Sequence, residues 1–390
     1  MKIVNWQSIY THQQYYTWQA FQELIDEKIF FVVGALESST RKRQGWQTTN
    51  LAGLNFVVLE SKGWWKQGRK IINEHPDAIH IFGGFWADRR FFPLLLYAVW
   101  TGRKACIMQE AYATQAVGYL KEEKIWVSAV KVFGRPFLYQ MASVLIGLSN
   151  KDAAPCLLSI SNQCAAQLRQ AGFSPSQIFP FGYFVQKIEV NHIREKKKEQ
   201  LKLVFVGSLL RRKGVDILAN AVLKVFRQGY PISLDVYGFG EPGAFFSSSF
   251  PEIIAYKGVI PLDESQSVIA QYDALILPSR HDGWGVVVNE ALLQGIPVIV
   301  SSHVGAKCLV EASGAGAVFE NEDVNDLAGI FLRLIQAPGL LTEWQERASL
   351  ASSLILPEVA AKYVYDVLQF YFYKKRAQPE AIWSQKSSII

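Results

Sequence analysis

A chain of 390 residues, 50% apolar and 19% charged, is long enough for two separate cores and too apolar to be disordered. Its net charge of +6 suits an anionic small molecule or an anionic membrane surface, but no clustered Lys/Arg with stacking aromatics supports nucleic acid as a partner. The four cysteines (Cys106, Cys156, Cys164, Cys308) lack C-x-x-C pairing and the six histidines lack ligand spacing, which favours reduced thiols and gives no readable metal site.

The start, Met1-Lys2-Ile3-Val4-Asn5-Trp6, reads as a first strand and not as a signal peptide. A helix at 15–27 and strands at 29–35, 55–59 and 78–82 follow, with a polar loop carrying Arg41, Lys42 and Arg43 between the first two of these strands. A helix at 91–101, strands at 104–108 and 157–160, and a helix at 162–171 closed by Gly172 complete the first half. The longest apolar runs, 91–100 and 136–148, are shorter than the about 20 residues of a membrane span. A cytoplasmic protein is therefore expected, with any membrane contact peripheral, at the inner face of the plasma membrane.

Residues 193–202 interrupt this rhythm, since Arg194-Glu195-Lys196-Lys197-Lys198-Glu199 contains no apolar residue and reads as a solvated linker. Strands at 203–206, 233–237, 254–256, 274–277, 298–301 and 317–319, with a helix at 215–228, then restart the alternation. Strands alternating with helices imply parallel sheets with crossovers. The last segment, 357–375, reads as a helix, aromatic and basic at its end.

The most informative stretch is Arg280-His281-Asp282-Gly283-Trp284-Gly285-Val286-Val287-Val288-Asn289-Glu290-Ala291. A buried strand precedes it, and a helix from 287 to 294, stopped by Gly295 and Pro297, contains Glu290. Ligands of open α/β sheets bind at the carboxyl ends of strands, where Asp282 falls. Gly283 and Gly285 let backbone N–H groups approach an anion, and the carboxylates accept hydrogen bonds from sugar hydroxyls. This suits a ligand that is phosphate in the middle and polyol at both ends; a capping Asp and a solvated helix Glu are the plain alternative.

The stretch resembles the E-x7-E motif of retaining glycosyltransferases of family 4, with Asp282 where that family usually has the first Glu. The resemblance implies an α/β GT-B fold: two Rossmann-like domains facing each other across a cleft, at 1–192 and 203–356, a linker at 193–202, and a helical segment at 357–390 crossing back to the first domain. It is strongest between 202 and 335. The loop Val206-Gly207-Ser208-Leu209-Leu210-Arg211-Arg212-Lys213-Gly214 is similar to the family's G-R-L-x-x-x-K-G segment, where an Arg and a Lys neutralise the donor diphosphate. Lys213 matches the Lys, Ser208 takes the Arg position, and Arg211 or Arg212 is left to supply the second charge.

Gly238-Phe239-Gly240-Glu241-Pro242-Gly243 spells G-x-G-x-x-G, but it lies deep in the chain and not in a first βαβ unit, which argues against NAD. The resemblance implies instead that Gly238 shapes the nucleotide pocket and that the segment 256–261, with Val259, meets the base. It further implies that Lys213, Asp282, Glu290 and His80 are catalytic. Backbone around Gly283, Trp284, Gly285 and Val286 holds sugar and phosphate, with Gly207, Ser208 and Arg212 as further donor contacts. On the acceptor side stand His12, on the loop after the first strand, His80, and Glu110, placed after the strand at 104–108; a buried, hydrogen-bonded histidine is the alternative for His80.

Trp64 and Trp65 with Lys66, Arg69 and Lys70, and the similar mix of Lys124, Trp126, Lys131 and Phe133, suit either a membrane interface or ordinary helix packing with snorkelling cations. The implied function is retaining transfer of a hexose from a nucleoside-diphosphate sugar to a saccharide or lipid-linked saccharide, in polysaccharide or glycolipid biosynthesis. No cofactor or metal is expected, because Lys213 carries the charge. A binding protein without catalysis, a nucleotide-sugar epimerase or a phosphorylase on the same fold are the alternatives.

Overall fold

A computed structural model describes residues 1–36, 53–114, 125–149, 154–190, 200–240, 252–261 and 263–384. The predicted loop cations Arg41, Lys42 and Arg43, Lys124, the charged run 194–199 and the Glu241-Pro242-Gly243 end of the glycine motif lie outside these residues.

The first domain holds strands β1 (Ile3–Gln7), β2 (Phe30–Val33), β3 (Asn55–Val58), β4 (Ile79–Phe82), β5 (Ala105–Glu110), β6 (Cys156–Ile160) and β7 (Ile178–Phe181). They form one parallel sheet in the order β3-β2-β1-β4-β5-β6-β7. Its helices are α1 (His12–Ile25), α2 (Trp64–Glu74), α3 (Phe91–Trp100), α4 (Ile125–Gly147) and α5 (Asn162–Gln170). Every residue of β1, β4 and β6 is buried, as expected of strands covered on both faces by crossover helices.

The second domain repeats the plan with β8 (Leu201–Val206), α6 (Val215–Phe226), β9 (Ile232–Tyr237), β10 (Ile254–Gly258), α7 (Ser265–Ile269), β11 (Ala274–Leu277), α8 (Val287–Leu293), β12 (Val298–Ser301), α9 (Lys307–Ser313) and β13 (Gly316–Phe319). Its sheet order is β10-β9-β8-β11-β12-β13, again parallel. Helices α10 (Val324–Gln336), α11 (Pro338–Ala351) and α12 (Pro357–Leu368) end the chain. The aromatic edge of α12 lies on the first domain, where Tyr363 stacks on Phe181 and Tyr365 meets Phe21. A π-turn at Gln369–Tyr373 then sets Phe370 and Tyr371 edge-on against Phe179.

In each sheet the strand order reverses once, between β1 and β4 and between β8 and β11. Loops leaving neighbouring strands there turn to opposite faces and open a crevice, so two switch points face one cleft.

Several boundaries differ from the sequence expectation. Helix α1 starts at His12 because Gln14 and Tyr15 already donate to the Thr11 carbonyl, so His12 opens a helix and does not lie on a loop. Strand β5 runs to Glu110, making that residue the end of the strand. Strand β8 begins at Leu201, which donates to the Pro231 carbonyl, so the second domain starts before the linker limit drawn at 202. Elements α2, α4, β7, α9, α10 and α11 were not foreseen. In α2, Trp65 packs edge-on against Tyr97, and Arg69 lies over both rings, so this aromatic-basic cluster is helix packing. Among the described residues no helix is long and apolar enough to cross a membrane.

Candidate active site

The cleft holds a cavity of about 360 Å³. Its floor is made where β8, β9 and β11 end. Gly238 has φ +145°, and a Cβ there would fall 1.7 Å from the Gly207 carbonyl oxygen, so only glycine lets these two strand ends touch. Beyond β8, the turn Arg211–Lys213 is closed by Gly214 at φ +69°, pressed against the Pro278 carbonyl.

Arg280 ties this turn to the loop after β11. Its guanidinium makes a two-pronged pair with Asp216 (2.9 and 2.7 Å), donates to Glu322 at 2.6 Å and to the Arg211 carbonyl at 2.7 Å, while its N–H donates to the Arg212 carbonyl. Such a fork is more rigid than a point charge. The result is that Arg212 and Lys213 enter the cleft from one side and Asp282 from the other.

Lys213 Nζ lies 2.5 Å from Asp282 Oδ2, with both side chains largely buried. Burial holds the Lys213 ammonium below its usual range, against the opposing pull of Asp282. Burial also pushes the Asp282 carboxyl up, but Lys213 and Arg212 outweigh it and keep the group below the usual carboxylate range. Asp282 is thus favoured as a carboxylate facing Lys213, and Arg212 adds a further cation in the same lining. Arg212 Nε is buried without a hydrogen-bond partner, so the guanidinium has donor capacity for an anion in the cleft.

In the same lining, Glu290 on α8 accepts a hydrogen bond from Ser265 on α7 at 2.5 Å. Burial pushes its carboxyl up to about 7, against that hydrogen bond. Across the cleft, Glu110 at the end of β5 accepts from the Tyr183 hydroxyl at 2.5 Å. A Cβ on Gly283 would lie 2.9 Å from Glu110 Oε2, so a glycine is what allows the loop after β11 to approach this carboxylate of the first domain.

Of the residues foreseen for the donor side, Gly207, Ser208, Arg212, Lys213, Gly238, Val259, Asp282, Trp284, Gly285, Val286 and Glu290 line one cavity, and Gly283 is not in its lining. The Trp284 indole, however, is buried between the domains, over Gly182 and against Phe184 and Trp383, and donates to Asn289 at 2.8 Å. Its part is to join domains, and only its neighbourhood faces the cleft. Of the acceptor-side residues, Glu110 lines the cavity.

His80 does not. It sits inside β4, two residues before the strand end, so its ring projects from the face of the sheet and not from its edge. Trp6 Nε1 donates to its Nδ1 at 3.3 Å, which leaves Nε2 to donate to the His75 carbonyl at 3.2 Å. Burial drags its pKa down to about 4, so the ring is a neutral structural link. The side chain of His12 is outside the described residues; Gln13, one residue on, lines the cavity.

Sequence reasoning missed Ser265, Tyr183, Gln13 and the brace built on Arg280. Arg280 sat within the key stretch but carried no signal, because its partners are 42, 64 and 69 residues away.

The family described as "Glycosyl transferases group 1" matches residues 200–337, which include the Arg211–Lys213 turn, Arg280, Asp282 and Glu290. The chain is a glycosyltransferase with the GT-B fold, and its second domain is similar to the group 1 family. The glycosyltransferase is 28% identical over 300 residues to a 41.2 kDa protein of the cps region of Klebsiella pneumoniae, covering 74% of this chain and 75% of that one. It is 26% identical over 155 residues to the amylovoran biosynthesis glycosyltransferase AmsK of Erwinia amylovora, covering 37% and 38% of the two chains. The aligned stretch thus spans three quarters of the first relative and less than two fifths of the second. Among solved structures, Anabaena HepE in complex with UDP-glucose superposes with a TM-score of 0.66 at 14% identity, covering 95% of this chain and 99% of that one, a likeness of fold.

Proposed function

We propose that this glycosyltransferase is a retaining enzyme of family 4, placed in the cytoplasm. It moves a hexose from a nucleoside-diphosphate sugar to a saccharide or lipid-linked saccharide during surface-polysaccharide or glycolipid biosynthesis. The observation that carries this reading is that one cavity is lined by Glu290 with its partner Ser265, by the cations Arg212 and Lys213, and by the carboxylates of Asp282 and Glu110. A nucleotide sugar presents the matching chemistry, with hydroxyls on its ribose and hexose and negative charge on its diphosphate. The UDP-glucose complex of HepE and the amylovoran pathway of AmsK support the substrate class and the setting.

In this reading Glu290 accepts hydrogen bonds from the ribose, and Asp282 from the hexose. Lys213 and Arg212 take up negative charge as the diphosphate departs, the step at which preorganised charge lowers a barrier most. Because these cations supply that charge, no metal is assigned a role, and chelation with EDTA should leave the rate unchanged. The acceptor enters past Glu110 and Tyr183, and the leaving phosphate, on the same face, helps take its proton. Transfer from UDP-, GDP- and ADP-hexoses to saccharide primers, followed by NMR of the new anomeric centre, tests this. An axial donor giving an axial product supports it. Donor binding without transfer to any primer would favour a binding protein, and inversion would refute retention.

A further inference from the structure

Helix α4 buries one side and leaves the opposite side apolar and bare. Tyr139, Ala142 and Ile146 pack into the first domain, where Tyr139 meets Tyr112, close to Glu110 in the chain. On the outer side Val130 (65% exposed), Phe133 (82%), Phe137 (66%), Val144 (64%) and, just past the helix end, Leu148 (72%) form a single stripe at helical spacing. Isolated exposed apolar residues are ordinary, but five in line, two of them phenylalanines, are a binding surface. Lys131 flanks the stripe, and residues 125–149 contain no Asp or Glu. At its far end, Trp100 donates from its indole to the Leu145 carbonyl at 3.0 Å and is half exposed. Lys104, in the turn after Trp100, lies 4.2 Å from the Tyr373 ring, beside Lys374 and Lys375.

We propose that this face of α4 docks on an anionic lipid bilayer, lying in the plane of the interface. The 23 residues of α4 span about 34 Å, and their inner side is committed to the protein core, so the helix rests on the bilayer and does not cross it. The apolar stripe enters the acyl boundary, Trp100 sits at headgroup level, and the basic rim meets lipid phosphates. A second copy fits less well. A two-fold contact through this stripe would bring Lys131 and its flanks toward their own images, with no acid on the helix to pair them. The docking has a functional sense that rests on the proposed lipid-linked acceptor: Tyr139 of α4 packs on Tyr112, two residues after Glu110, so a bilayer under the outer face of α4 would hold the end of β5 near the surface from which such an acceptor would come.

The test is co-sedimentation of the full chain with vesicles of phosphatidylcholine alone and of phosphatidylcholine mixed with phosphatidylglycerol. The wild type should partition onto the mixed vesicles, and Phe133→Ser/Phe137→Ser should weaken this about ten-fold or more. UDP binding by calorimetry should stay unchanged in that variant, which shows it folded and separates this proposal from the donor-site reading. Lys374→Glu/Lys375→Glu should weaken binding to mixed vesicles alone. A wild type that stays in solution with both vesicles, a Ser variant that binds as well as the wild type, or a dimer in sedimentation velocity that the Ser variant abolishes would each overturn the proposal.

Discussion

Glu290→Gln removes one ionisation while keeping shape and the hydrogen bond to Ser265. In the folded protein the Glu290 carboxyl titrates near 7 in place of an ordinary 4.5, because burial disfavours its charge. That separation corresponds to at most about 3 kcal/mol. The group is raised, so between these values the folded state holds more protons than the unfolded chain, and stability falls as pH rises. The cost of the charge is absent below about 4.5, grows up to about 7 and is complete above it. Glu290→Gln should therefore raise the urea midpoint clearly at about pH 8 and barely at about pH 5.

Binding should respond in the opposite sense. Ribose hydroxyls donate to the ionised carboxylate, so wild-type affinity for UDP-glucose should rise as pH climbs through about 7. A nucleotide sugar is a good probe because its diphosphate is a diester and does not itself titrate in this window. In the Gln variant affinity should be independent of pH and lower by about ten-fold or more, the value of hydrogen bonds to a charged acceptor. Equal destabilisation at both pH values, together with wild-type affinity and pH slope in the variant, would refute both the buried charge and its role.

Lys213→Ala should cost turnover about a hundred-fold and also lower stability by about 3 kcal/mol, since Asp282 is left charged and unpaired. Lys213→Ala/Asp282→Asn should recover most of the melting temperature and none of the turnover, which separates the two effects. Arg280→Ala frees the Arg211–Lys213 turn from Asp216 and Glu322, so the donor KM should rise several-fold more than kcat falls; a change in kcat alone would contradict a positioning role. His80→Asn should lower thermal stability through the lost Trp6 and His75 bonds and leave the pH–rate profile as in the wild type, whereas a lost kinetic pKa would restore His80 to the chemistry.

The sequence made most of the strands and the cavity residues of the second domain visible, because both signals are local. Buried parallel strands read as short apolar runs, and Asp282 and Glu290 stand at a fixed spacing around a turn whose glycines are needed for close approach. What escaped depends on distance along the chain. Ser265 reads as a helix start until α7 and α8 are packed side by side, and Glu110 becomes a cleft residue through Tyr183, 73 residues away. The acceptor-side histidine failed for a geometric reason: at position 80 a side chain leaves the sheet face, and a strand's period of two decides that before any chemistry does. The membrane reading fell on two aromatic-basic clusters, and only their surroundings separate them, since Trp65 is held by Arg69 and Tyr97 while Phe133 has no cover.

The central claim is that the cleft between Lys213, Asp282 and Glu290 binds a nucleoside diphosphate. Calorimetric titration of UDP, GDP, ADP, CMP and NAD into the wild type and Glu290→Ala tests it most directly. The account predicts that one nucleoside diphosphate binds best and loses affinity in the variant. No binding by any diphosphate, or NAD binding best with no effect of the substitution, would contradict it.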